Sequence, residues 1–344
     1  MSTNYTSYIN KLKKSPVFAM SLCSKELFHS NFWSWLIESD YKYAKVFFDN
    51  IEADRIDRVT REEHNRDLTI WANNKAYIIE NKIKSIPYPE QLFGYQEKCA
   101  SFASGCLTGI VQCELPKQWH FRSYKDIGES IKKIARNEET EGFKKELIME
   151  YADMIINIYN LVYHMSKDEY KNVFIADQLS GSELEKIRFD DIIKKLQSHD
   201  LEKYFKENLK KLLTDNAGKL KISRGFSNKN ALINIFYETE KYNIGISIQG
   251  NQMRRVCSGR GKHNEIFAEM KEKGFFTEYN KNDALIFGKR TSMRNRYCKY
   301  EGSIEGDSKE KNTHVYQYWI IEDFSFDTIY KEVEEQIKDI KRYI

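Results

Sequence analysis

The chain has 344 residues, 41% of them hydrophobic and 31% charged, with only 4 prolines and a formal net charge of +4. That composition excludes a disordered chain, and no run approaches the ~20 apolar residues that a helical membrane span needs. The length suits about two domains with a substantial buried core, while a charge this near balance names no partner by itself.

The start, "MSTNYTSYINKLKKSPVF", carries Lys11, Lys13 and Lys14 but only a short apolar run follows, so no secretory leader and a cytoplasmic location are expected. Ser24 is the expected N-cap of a helix over "KELFHSNFWSWLIES", with Leu27, Phe28, Phe32, Trp35 and Leu36 as its apolar stripe. Two extended runs and a hairpin are expected between about Phe47 and Ile83. "PEQLFGYQEKCASFAS" opens with Pro89 near a helix start, and "CLTGIVQC" reads as a short strand bounded by Gly105 and Pro116. Helical patterns then fill Tyr124 to about Leu213, and beyond "DNAGK" the texture changes to strands over "NALINIFYE", "NIGISIQG", "DALIFG" and "HVYQYWII", with helices near 262–273 and 325–343. The expected division is a core over 1–125, a helical region over 126–215 and an α+β domain over 216–344.

The 6 cysteines fit reduced thiols. Cys99, Cys106 and Cys113 recur every seventh residue, but the C-x2-C pair of an iron-sulfur site is missing. From Asn251 to Tyr300 there are 12 Lys and Arg against 5 acids. This basic block includes Arg254, Arg255, Arg260, Lys262, Lys289, Arg290, Arg294 and Arg296, interleaved with Phe275, Phe276, Tyr279 and Tyr297. Such a mixture suits a phosphate backbone with base stacking, and equally a solvated face. Arg290, Arg294 and Arg296 are the candidate nucleic-acid contacts.

The most informative stretch is "DLTIWANNKAYIIENKI", residues 67–83, which sets Asp67, Glu80 and Lys82 into two apolar strands. If Asn73 and Asn74 form a two-residue turn, partner numbers sum to 147 and Asp67 lies opposite Glu80. Lys82 then points the same way as Glu80. Two facing carboxylates repel unless a cation lies between them, which calls for a metal or for Lys82. An oxygen-rich site of this kind suits Mg²⁺ or Mn²⁺, and the lysine beside it could steer a water nucleophile. An exposed hairpin face carrying a Glu80–Lys82 ion pair is the structural alternative.

Asp67 with "IIENKI", which contains Glu80, Asn81 and Lys82, resembles the D...ExK core of the PD-(D/E)XK nuclease superfamily. The downstream "QLFGY", Gln91 to Tyr95, resembles the Q-x3-Y helix motif of its RecB-like branch. The upstream "SKELFHSNFWSWLI" is similar to the first-helix segment of a group of bacterial proteins in that superfamily, in which an acid corresponding to Glu26 faces the site. The resemblance covers about residues 20–115 and shares the order helix, three strands, helix, strand; Arg66 stands where the motif nominally has proline.

The resemblance implies an α/β, restriction-endonuclease-like core, a mixed central sheet flanked by helices, carrying a helical insertion and an α+β C-terminal domain. It implies Asp67 and Glu80 as ligands of Mg²⁺ or Mn²⁺ with the Asn81 carbonyl as a third donor, and Lys82 as the residue that positions the attacking water. Gln91 and Tyr95, one helical turn apart, would line the site, and Glu26 would complete the acidic cluster. The expected partner is nucleic acid, DNA first, without membrane association, and a homodimer is compatible with the reading. The expected activity is metal-dependent phosphodiester hydrolysis in a setting of restriction, repair or phage defence. An RNA nuclease with the same site and an inactive binding module stay open as rivals. His29, on the same helical face as Glu26 and Trp33, is expected to be structural.

Overall fold

A computed structural model describes residues 4–21, 26–137, 142–175, 179, 181–210, 220–227, 230–261, 263–276, 294–297, 302–303 and 311–344. The chain divides into two compact units, Met1–Glu169 with Gly181–Ile192, and Tyr170–Ser180 with Ile193–Ile344. The helices between residues 124 and 210 fall partly in the first unit and partly in the second.

In the first unit, helices α1 (Asn4–Lys14), α2 (Pro16–Met20) and α3 (Glu26–Ser39) precede strands β1 (Ile56–Glu63), β2 (Arg66–Ala72) and β3 (Lys75–Lys82). Helix α4 (Pro89–Glu97) leads to β4 (Phe102–Gly109) and β5 (Trp119–Ser123), followed by helices α5 (Tyr124–Asn137) and α6 (Gly142–Tyr163). The five strands form one mixed sheet in the order β1-β2-β3-β4-β5. β1, β2 and β3 pair antiparallel, whereas β3–β4 and β4–β5 are parallel. Pro89 takes the first helical position of α4, where its missing N–H leaves no bond unmade.

Asn73 and Asn74 have φ of 51° and 60°, the left-handed pair that a tight hairpin turn requires. The register follows: Leu68 faces Ile79, Ile70 faces Tyr77 and Ala72 faces Lys75, all summing to 147. β4 begins four residues before the expected "CLTGIVQC" and ends at Gly109. Gly109 has φ +152°, and a Cβ there would stand 2.0 Å from the Lys82 carbonyl oxygen, so only glycine lets the chain turn away beside the end of β3.

The expected stripe on α3 is corrected. Phe32 and Leu36 are buried as expected, but Leu27 and Trp35 are 49% and 40% exposed, and His29, Trp33 and Ile37 complete the buried side instead. Tyr151 of α6 decides this orientation: Phe32 stacks on its ring at 3.6 Å, Trp33 meets it edge-on at 5.4 Å, and its hydroxyl reaches His29. Ser24 lies outside the described residues.

The second unit carries a second sheet, ordered β10-β12-β9-β8-β7-β6 among the described residues, with β11 (Gly302–Ser303) paired to β12. Its strands are β6 (Leu220–Ser227), β7 (Asn230–Glu238), β8 (Tyr242–Gln249), β9 (Gln252–Arg260), β10 (Arg294–Tyr297) and β12 (Lys311–Ile320). The helix Phe326–Ile340 buries Ile329, Val333, Ile337 and Ile340 in a core shared with Ile233, Ile235, Ile244, Ile246 and Ile248. "DALIFG" lies outside the described residues. No helix among the described residues is long and apolar enough to cross a membrane.

Candidate functional site

Because the β2–β3 register alternates, Asp67, Thr69 and Trp71 share one face of the sheet with Ala76, Ile78 and Glu80. Helix α4 covers that face, burying Leu92 and Tyr95 against Ala76 and Ile78. The ladder itself stops at Leu68–Ile79; one step further the Asn81 N–H donates to Asp67 Oδ2 at 2.7 Å. The two carboxylates therefore sit where the hairpin opens.

Glu80 is almost fully buried at 1% exposure. Its Oε1 accepts from Lys82 Nζ at 2.6 Å and from Gln91 Nε2 at 2.9 Å. Its Oε2 is buried and has no hydrogen-bond partner among the described residues. Gln91 Nε2 also donates to the Tyr95 hydroxyl at 2.6 Å, and that hydroxyl donates to the Asn65 carbonyl at 2.5 Å. The four-residue spacing of Gln91 and Tyr95 is what lets one amide touch both the acid and the phenol.

Burial pushes Glu80 up to about 8, and the charge of Asp67 adds to the rise although Lys82 opposes it. Asp67 is raised to about 6, again chiefly by burial, against the opposing pull of the Asn81 N–H and Lys82. Lys82 is raised: burial works against its charge, but Glu80, Glu26 and Asp67 together outweigh it. Tyr95 is held up to about 12 by burial and by Glu80.

Glu26 reaches the same cluster from the first turn of α3, its Oε1 accepting from the Ser85 hydroxyl at 2.6 Å and the Ile83 N–H at 3.3 Å. Asn81 fixes that arrangement from the other side of the sheet. Its side-chain amide donates to the Glu26 carbonyl at 3.2 Å, and its Oδ1 accepts from the Tyr124 hydroxyl at 2.5 Å. The Asn81 side chain is thus a clamp for α3 and α5, so any ligand role of this residue would fall to its main-chain carbonyl.

Asp67, Glu80, Lys82, Gln91, Tyr95 and Glu26 accordingly come together around the open end of the hairpin. Sequence reasoning missed the clamp residue Tyr124 and the Asn65 carbonyl, which no motif or spacing signals. His29 is fully buried, its Nδ1 lies 2.9 Å from the Tyr151 hydroxyl, and burial depresses its basicity to about 3. It is a neutral core residue, as expected.

Among the described residues no group of three or more His, Cys, Asp or Glu side chains is placed to hold a metal ion. A divalent ion would rest on Asp67, Glu80 and a main-chain oxygen. These hard oxygen donors fit Mg²⁺ or Mn²⁺, and the unpartnered Glu80 Oε2 is the atom that such an ion would satisfy.

In the second unit, Arg294 and Arg296 lie on β10, in register with Tyr318 and Tyr316 of β12, and β10 ends the strand order among the described residues. Arg290 and the side chains of Arg294 and Arg296 lie outside the described residues. Part of the basic block is corrected. Arg255 is 6% exposed and pairs with Asp339, with Nη1 donating to the Phe275 carbonyl at 3.0 Å. Phe275 and Phe276 are core residues. These three are buried and cannot form a phosphate-binding or base-stacking surface; in sequence, the pattern of charge and aromaticity does not distinguish a buried ion pair from a solvated one.

No family model, no curated protein and no solved structure matches this chain.

Proposed function

We propose that the first unit is a metal-dependent nuclease core of the PD-(D/E)XK type, restriction-endonuclease-like in fold, hydrolysing phosphodiester bonds in nucleic acid, DNA foremost. The observation that carries this reading is the convergence of Asp67 and Lys82 on Glu80, whose Oε2 is buried without a partner. An ion pair serving structure alone would leave neither a second carboxylate nor an unsatisfied oxygen in the same place, since both cost stability. The element order α3, β1–β3, α4, β4 agrees with the reading.

Asp67, Glu80 and a main-chain oxygen would hold a divalent ion, whose chemistry when bound would be charge neutralisation at the scissile phosphate and a lower pKa for water. The residues divide the remaining work. Asp67 is oriented by the Asn81 N–H, and Glu80 by the Gln91 amide, so both carboxylates present fixed oxygens. Lys82, held cationic by its acidic neighbours, is the donor that orients the attacking water and balances charge growing on the phosphate oxygens. Tyr95 keeps Gln91 in register and stays a neutral phenol.

The test is incubation with supercoiled plasmid, linear duplex, single strands and RNA, each with Mg²⁺, Mn²⁺ or EDTA. Cleavage of any of them that EDTA abolishes is expected, with DNA the preferred substrate. Preference for RNA would favour the rival substrate, and absence of all turnover the binding module.

A further inference from the structure

Beside the carboxylates lies a cavity of about 320 Å³, roughly ten water volumes, walled by Arg58, His64, Arg66, Trp71, Tyr95 and Lys98. Tyr95 belongs to both places, since its hydroxyl bonds Gln91 while its ring forms part of this wall. Arg66 is the feature that needs an explanation. It is 4% exposed, and among the described residues its Nε has no hydrogen-bond partner and no acid forms an ion pair with it. Glu63, the acid on the same wall, instead accepts from the Thr60 hydroxyl at 2.8 Å. A guanidinium taken out of water without an anion is among the costlier things a fold can hold.

The remaining lining says what would satisfy it. Arg58, exposed, lies over the Trp71 ring at 5.0 Å, and exposed Lys98 also lines the cavity. Three permanent cations with a single acid, arranged around a planar fork of donors, match a phosphate group in charge and geometry. The position adds direction, because Arg66 precedes Asp67 in the chain.

We propose that this cavity is a phosphate-binding site, with Arg66 as its buried anchor and Arg58 and Lys98 as its rim, which receives a phosphate of the strand next to the one being cleaved. The source of the phosphate rests on the nuclease reading; the binding of phosphate does not. Two sources share the chemistry, a terminal monoester and an interior diester.

Titration calorimetry of the full chain without metal, using inorganic phosphate, deoxyadenosine 5′-monophosphate and deoxyadenosine, tests the site. Both phosphate compounds should bind and the nucleoside should not, with affinity falling at least about tenfold in Arg66→Met and severalfold in Arg58→Ala/Lys98→Ala. Phosphate should also raise the melting temperature of wild type but not of Arg66→Met. The rim variant changes only exposed side chains, so it carries the test if Arg66→Met fails to fold. Equal phosphate affinity in wild type and the variants, or no affinity in wild type, overturns the proposal. Oligonucleotides with 5′-phosphate or 5′-hydroxyl then separate the sources: a preference for the phosphorylated end that Arg66→Met abolishes marks the monoester. Equal binding of both ends with a shallower salt dependence in Arg66→Met marks the diester. If phosphate binds as described while no nucleic acid is cut, the site stands and the nuclease reading falls.

Discussion

Gln91 donates to Glu80 across the gap between helix α4 and strand β3 at 2.9 Å, and the same amide nitrogen reaches Tyr95 at 2.6 Å. One side chain thus sets the orientation of the most buried acid in the molecule's open hairpin end. Gln91→Leu, which keeps the bulk and removes the donor, should lower cleavage and Mn²⁺ affinity by about 10–100-fold. Circular dichroism should show the fold retained. Unchanged Mn²⁺ affinity in a folded variant would mean that Gln91 does not orient a ligand.

Lys82→Ala should abolish cleavage, a loss of at least about 100-fold, while nucleic-acid binding by fluorescence anisotropy stays within about threefold of wild type. The reason is that one ammonium is a small part of the binding surface but is bonded directly to Glu80 and feels the charge of Asp67. Wild-type turnover by that variant would remove Lys82 from the mechanism.

Asp67→Asn removes a charge that opposes ionisation of Glu80. The metal-free variant should be at least as stable as wild type. Wild type should gain about 2.7 kcal/mol in Mn²⁺ at a hundred times its dissociation constant, and the variant should lose this gain together with cleavage. Thermal melts with calorimetric titration check both; equal Mn²⁺ binding by the two proteins would sink the metal site.

His29 ties stability to acid. In the unfolded chain it titrates near its ordinary 6.5, but in the fold burial holds it near 3. The unfolded state therefore takes up the proton first, and the contribution of neutral His29 is complete above about pH 6.5 and lost as pH falls towards 3. Urea unfolding at pH 7, 6, 5 and 4 should show the stability difference between wild type and His29→Gln shrinking by up to ~1.4 kcal/mol per pH unit. Parallel curves would show that His29 does not titrate on unfolding.

Replacing Arg290, Arg294 and Arg296 by Gln should weaken nucleic-acid binding and flatten its dependence on salt, by about one in the log–log slope for each phosphate that an arginine had neutralised. An unchanged slope assigns that face to solvent.

The hairpin was legible because two local signals agree: the Asn73–Asn74 turn fixes the register and strict alternation fixes the faces. The orientation of α3 was not, since Tyr151 lies more than a hundred residues away and rewards burial of His29 over the more apolar Leu27. β5, "WHFRS", escaped notice because its strand character comes from Trp119 lying on Gly105 of β4 and not from its own composition. β9 hid inside the basic block, where Arg255 reads as surface charge until Asp339 is seen beside it. Arg66 was visible only as a departure from a motif; its burial depends on the packing of β1, β2 and α4.

The last hydrogen bond of the hairpin is made by the Asn81 amide to the Asp67 carboxylate, in place of a main-chain carbonyl. The proton on that nitrogen is therefore a built-in spectroscopic reporter. Its chemical shift follows the charge on Asp67, so it should move as the carboxylate titrates near 6, and move in the same sense as on protonation when a cation draws on the same oxygens. Its rate of exchange with deuterium follows the opening of the strand end. A single amide resonance then reads the chemistry of the site and the fraying of the sheet together, because the sheet is closed at that point by a group that the chemistry uses.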